Sequence, residues 1–63
     1  MIGKKLETIL KRRGITHRYL SAQTDIPYWR LQQIIKDRYE VKPSELKKIC
    51  SYLKISSSVL LGF

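Results

Sequence analysis

The sequence predicts an all-α fold, compact, with four to five short helices. Apolar residues recur three and four apart in successive stretches, the spacing that lines up one face of a helix. The stretches are separated by residues that stop or start helices, among them Gly14, Asp25, Pro27 and Pro43. A length of 63 residues allows one domain, spanning residues 1–63, that buries only about 60% of its unfolded surface.

The first helix is expected from about Ile2 to Arg13, with Ile2, Leu6, Ile9 and Leu10 on one face and Lys4, Lys5, Glu7, Thr8, Lys11 and Arg12 on the others. Gly14 follows as its cap, and Lys11, Arg12 and Arg13 complement the dipole of the last turn. Thr16 is a good N-cap for a second helix from His17 to about Thr24. Apolar or small residues then fall at Leu20, Ser21, Thr24 and Ile26, and again at Leu31, Ile34 and Ile35, with a break between Thr24 and Pro27. Two helices that cross steeply need a small residue at the contact, which Ser21 supplies. The turn needs a residue that tolerates the left-handed region, and Asp25 is of that kind. Pro27 suits the first turn of a third helix that extends to about Lys36. Residues 16–36 therefore read as a helix-turn-helix, in which one helix braces and the next presents its outer face to the major groove of DNA.

Asp37 to Lys42 is a polar connection of ordinary length. A fourth helix begins near Pro43 or Ser44, is favoured by Glu45 in its first turn, and runs to about Leu53. Its buried stripe is Leu46, Ile49, Cys50 and Leu53, while Lys47, Lys48 and Lys54 are solvated. Ile55 joins the core, Ser56 caps a last short helix, and Leu60 points inward. Val59, Leu61 and Phe63 cannot all share that buried side. They form either a frayed apolar end or a surface for association.

Thirteen Lys and Arg against five Asp and Glu give a net charge of +8, so the expected partner is a polyanion. The bland alternative is a basic soluble protein, or a patch that meets an acidic protein. No constellation for catalysis is present: His17, Cys50 and the scattered carboxylates do not converge, and no glycine-rich phosphate loop occurs. No metal, cofactor or small-molecule ligand is expected. Cys50, the lone cysteine, fits an inert core position in a reducing cytoplasm better than a reactive thiol. Met1 to Leu10 lacks the apolar run of a secretory signal, and no stretch is long enough to span a membrane. A cytoplasmic, nucleoid-associated location is expected.

These residues carry a resemblance to a known family. Leu20-Ser21, Asp25-Ile26, Leu31 and Ile34, together with PSELKKICSYLKISSSVLL from Pro43 to Leu61, resemble the small Cro and repressor DNA-binding domains of phages and bacteria, the lambda-repressor-like XRE family. The resemblance covers nearly the whole chain. It departs at Ser21, where Ala is usual, at Asp25, where Gly is usual, and at Tyr28-Trp29, where Gln, Arg, Ser or Thr are commoner. It implies a sequence-specific regulator of double-stranded DNA, Cro-like and acting as a dimer on a palindromic operator. It also implies phosphate contacts from the start of the second helix and from the loop after the third.

On the third helix, Tyr28, Trp29, Gln32, Gln33 and Lys36 lie away from the inward set. Gln pairs with adenine through two atoms, and an aromatic ring can sit against the thymine methyl, so Tyr28, Trp29, Gln32 and Gln33 are the candidate base contacts. Thr16, His17, Arg18, Lys36, Arg38 and Lys42 are the candidate phosphate contacts. His17 alternatively is a solvated surface residue. Trp29 alternatively folds back over the helix junction, and Tyr39 either reaches a phosphate or is partly buried. Arg30 lies off the reading face and is expected on a phosphate or in solvent. Val59, Leu61 and Phe63 are the candidate dimer interface. The competing reading, of a different class, is a protein-interaction module, antirepressor- or antitoxin-like, anchored by Tyr28 and Trp29.

Overall fold

The computed structural model describes residues 2–61, and among them it contains five helices and no strand. They are α1 (Ile2–Arg13), α2 (His17–Thr24), α3 (Tyr28–Ile35), α4 (Pro43–Leu53) and α5 (Ser57–Leu61). The expected all-α architecture is the observed one. α3 packs on α1 and α2, α2 also meets α4, and α5 closes against α1 and α4. Leu6, Leu10, Leu20, Leu31, Ile34, Ile49, Leu53 and Leu60 are fully buried where these helices meet. Leu46, expected in that stripe, lies half-buried at its edge.

The joint between α2 and α3 is held by its own backbone and short side chains. Asp25 is left-handed (φ 61°), and Ser21 Oγ donates to the Ile26 carbonyl (2.5 Å), so the small residue bonds the turn as well as making room for it. Thr24, buried, returns its hydroxyl to the Leu20 carbonyl at 2.7 Å. Pro27 differs from expectation by one place. Its ψ of 141° is not helical, so it is the N-cap of α3, and its carbonyl accepts the Leu31 N–H at 2.9 Å. Proline is tolerated there because the position needs no N–H donor.

Three helices end in the same way. The N–H groups of Ile15, Arg38 and Ile55 bond back to the carbonyls of Leu10, Gln33 and Cys50, and the residue before each is left-handed: Gly14, Asp37 and Lys54. These are Schellman closures, which normally favour glycine at the left-handed residue. Only the first has it. A side chain at Gly14 would meet nothing within 4 Å, so the φ of 67° alone accounts for glycine there. Lys54 was expected to be merely solvated, yet it adopts φ 57° without the aid of a short polar side chain. Lys54→Gly should therefore stabilise the protein by about 1 kcal/mol, read as a rise of several degrees in Tm.

Two long-range bonds fasten the ends of helices. The Gly3 N–H, in the first turn of α1, donates to Asp37 Oδ1 at 3.0 Å. Gly3 itself is buried, and a Cβ placed on it would lie 2.1 Å from the Ile35 carbonyl oxygen. Arg13 donates to the Leu53 carbonyl at the end of α4 (2.5 Å), so it serves the C-terminus of α4 as well as its own helix. Ser56 precedes α5, but its hydroxyl meets that of Ser58 (2.8 Å), and the Val59 N–H bonds the Ser56 carbonyl instead.

Candidate nucleic-acid interface

α3 is anchored from beneath by Leu31, Ile34 and Ile35, all buried. Those three positions leave Tyr28, Trp29, Gln32, Gln33 and Lys36 on the outer side, Gln32 and Gln33 half-buried and Lys36 exposed. Trp29 is 65% exposed, so it does not fold back over the junction. Tyr39, at 59%, is likewise exposed and not partly buried.

The start of α2 lies against this surface. Thr16 Oγ1 accepts the Tyr19 N–H at 3.1 Å, as an N-cap should, which leaves other first-turn N–H groups free to meet an anion. His17 Nδ1 and Gln32 Nε2 are 2.8 Å apart. The Arg18 guanidinium lies over the Tyr28 ring, 4.6 Å from its centroid. Two candidate phosphate residues are thus joined directly to two candidate base-reading residues. The sequence places both groups on the right elements but contains no local signal that they pair, since each pair is ten or more residues apart.

Arg30 is a correction. It was expected on a phosphate or in solvent, but its Nε and Nη2 donate to the two oxygens of Glu45, each at 2.9 Å, and Nη2 also reaches the Glu40 carbonyl at 2.9 Å. Both side chains are largely withdrawn from water. Glu45 in turn accepts the Lys42 N–H at 2.9 Å, so one carboxylate caps α4 and locks α3 to it. A planar guanidinium facing a carboxylate in two bonds explains why Arg30 turns inward.

The Arg30 hydrogen bond is the main reason that the Glu45 carboxyl is held below the ordinary carboxylate range, with the Lys42 N–H adding to it and burial opposing it. A depressed value in the fold means that Glu45 stabilises the protein above its unfolded value of about 4.3, and that this contribution is lost as pH falls through the folded value. Glu45→Gln should therefore melt below wild type at neutral pH. The gap should close on acidification below about 4.3, as thermal melts at a series of pH values would show.

The Asp37 carboxylate accepts from the N-terminus of α1. Glu40 remains exposed, as do Arg38 and Lys42. Cys50 is buried, and desolvation pushes its thiol up, which agrees with an inert core cysteine.

Residues 5–63 match the family model of the Cro/C1-type HTH DNA-binding domain. The chain belongs to that family. No curated protein and no solved structure matches it. The match runs from α1 through α5, so the bracing helices belong to the Cro/C1-type domain as much as the helix-turn-helix does. A DNA-binding regulator is the role that this membership supports.

Two apolar side chains are exposed at the C-terminal end of the Cro/C1-type domain. Val59 and Leu61 are 50% and 41% exposed, and Leu61 borders a groove lined also by Ile2, Ile34, Tyr39 and Val41. Phe63, the third member of the expected dimer surface, lies outside the described residues. Among the described residues no cluster of His, Cys, Asp or Glu could hold a metal, and no helix is long and apolar enough to cross a membrane.

Proposed function

We propose that the protein is a Cro-like phage or prophage repressor that binds a palindromic operator as a homodimer. The observation that carries the reading is the joint surface of α2 and α3, where His17 meets Gln32 and Arg18 lies over Tyr28, with Thr16 capping α2 and Trp29 exposed on α3. Backbone N–H groups and cationic side chains fix the register on phosphates, and the amides and rings read base edges. Arg38, Lys36 and Lys42 extend the phosphate track. Val59, Leu61 and Phe63 join two copies, so that two α3 helices enter the major groove about one turn, roughly 34 Å, apart.

Selection of random duplex DNA on the purified protein tests this. The expected product is a palindrome, and Gln33→Ala should erase the preference at one base pair of each half-site, worth about 1–3 kcal/mol. Sequence-independent binding alone, or none, would defeat the regulator reading. The exposure of Trp29 favours one alternative, a protein partner anchored on Tyr28 and Trp29. That alternative predicts a contact insensitive to loss of Arg38 and Lys42.

A further inference from the structure

We propose that the DNA-binding surface continues past the helix-turn-helix onto the start of α1, where Lys4 and Lys5 bind backbone phosphates beside those met by Lys36 and Arg38. The inference rests on the DNA-binding role proposed for α2 and α3, and adds to it a sequence-independent contact from a different helix.

Packing at Gly3 creates the junction. Its N–H donates to Asp37 Oδ1 at 3.0 Å, and its missing side chain lets it lie against the Ile35 backbone, so the first turn of α1 is fixed beside the residues that end α3. Asp37 stands in the chain between Lys36 and Arg38, and is left-handed at φ 56°. Lys4, Lys5, Thr8 and Asp37 line one groove, while Asp37, Arg38 and Ile2 border another. Four exposed cations, two from each segment, thus flank one carboxylate.

The cations of α1 are not equivalent. Lys11 is 3.6 Å from Glu7, and Arg13 donates to the Leu53 carbonyl. Lys4 and Lys5 are exposed and, among the described residues, neither is in an ion pair, although Asp37 lines their groove. The Asp37 carboxylate instead faces the positive end of α1, which offsets its charge. A lysine ammonium on a long stem suits a phosphate, which asks for a point charge and not for the fixed fork of arginine. Such contacts strengthen binding to every sequence alike.

The test replaces Lys4 and Lys5 together by Gln and, as a control of equal charge, Lys47 and Lys48, exposed lysines of α4 that line a different groove with Gln23 and Asp25. Gln has nearly the helix propensity of Lys, so both variants should melt as wild type does. Binding to a mixed-sequence duplex is measured across a salt series. Lys4→Gln/Lys5→Gln should lower the slope of log affinity against log salt by about 2, so that a fourfold rise in salt costs wild type roughly tenfold more affinity than the variant. Lys47→Gln/Lys48→Gln should keep the wild-type slope. Uncharged methylphosphonate links, placed singly in the duplex recovered by selection, should weaken wild type at phosphates to which the α1 variant is indifferent. Those phosphates should adjoin the ones to which Arg38→Ala is indifferent. An unchanged slope in the α1 variant, or equal falls in both variants, which would mark a general effect of net charge, overturns the inference and leaves the helix-turn-helix reading standing. If wild type binds no duplex, that reading fails and the inference fails with it.

Discussion

Gly3→Ala should melt roughly 15 °C or more below wild type, although alanine is the better helix former. Propensity alone favours the substitution by about 1 kcal/mol at most, and less in a first turn. The opposing effect is larger. The new Cβ would lie 2.1 Å from the Ile35 oxygen, 2.7 Å from its carbon and 2.8 Å from the Ile34 oxygen, all backbone atoms that cannot rotate away. α1 must then move off α3, and the Gly3 N–H bond to Asp37 lengthens with it. Overpacking typically costs about 1–3 kcal/mol and occasionally more, and three backbone atoms this close put the substitution at the upper end of that range. For a domain whose total stability is of order 3–9 kcal/mol, that is a large share. Each kcal/mol lost lowers Tm by about 4–8 °C at this size. A melt of Gly3→Ala at or above the wild-type temperature would mean that α1 does not approach α3 as closely as described.

Replacing Arg38 and Lys42 together by alanine should change DNA binding in a way that no stability effect imitates. Both are exposed, so the fold should survive. Each phosphate contact contributes about 0.9 to the slope of log affinity against log salt, and the pair about 2. A fourfold rise in salt should then cost wild type roughly tenfold more affinity than the variant. Base preference should persist, because phosphate contacts position the protein and do not read sequence. An unchanged salt slope would remove both residues from the interface.

The helices were legible because their limits are local. Thr16, Gly14 and Pro43 mark ends through their own backbone chemistry, and α1 and α2 begin and end at the expected residues. Lys54 was not legible as a left-handed cap, since nothing about lysine marks that conformation. Gly3 was not legible either. A glycine near a helix start resembles an incidental weak helix former, and only the approach of Ile35, more than thirty residues later, explains it. The same holds for Arg30. Its place on α3 suggested outward charge, whereas Glu45 serves α4 locally and Arg30 through a fold that brings α3 and α4 together. Of the candidate site, residue types and faces could be read from spacing, but the couplings of His17 to Gln32 and Arg18 to Tyr28 come from how α2 and α3 pack.

The exposure of Trp29 has an optical consequence. It is the chain's single tryptophan and stands in water in the native fold. Its emission maximum should scarcely shift when the protein unfolds, since the indole passes from one aqueous setting to another. Covering it with a nucleic acid or a protein should quench the fluorescence or move it to the blue. This one indole therefore makes a poor thermometer of folding and a sensitive gauge of occupancy on the face of α3.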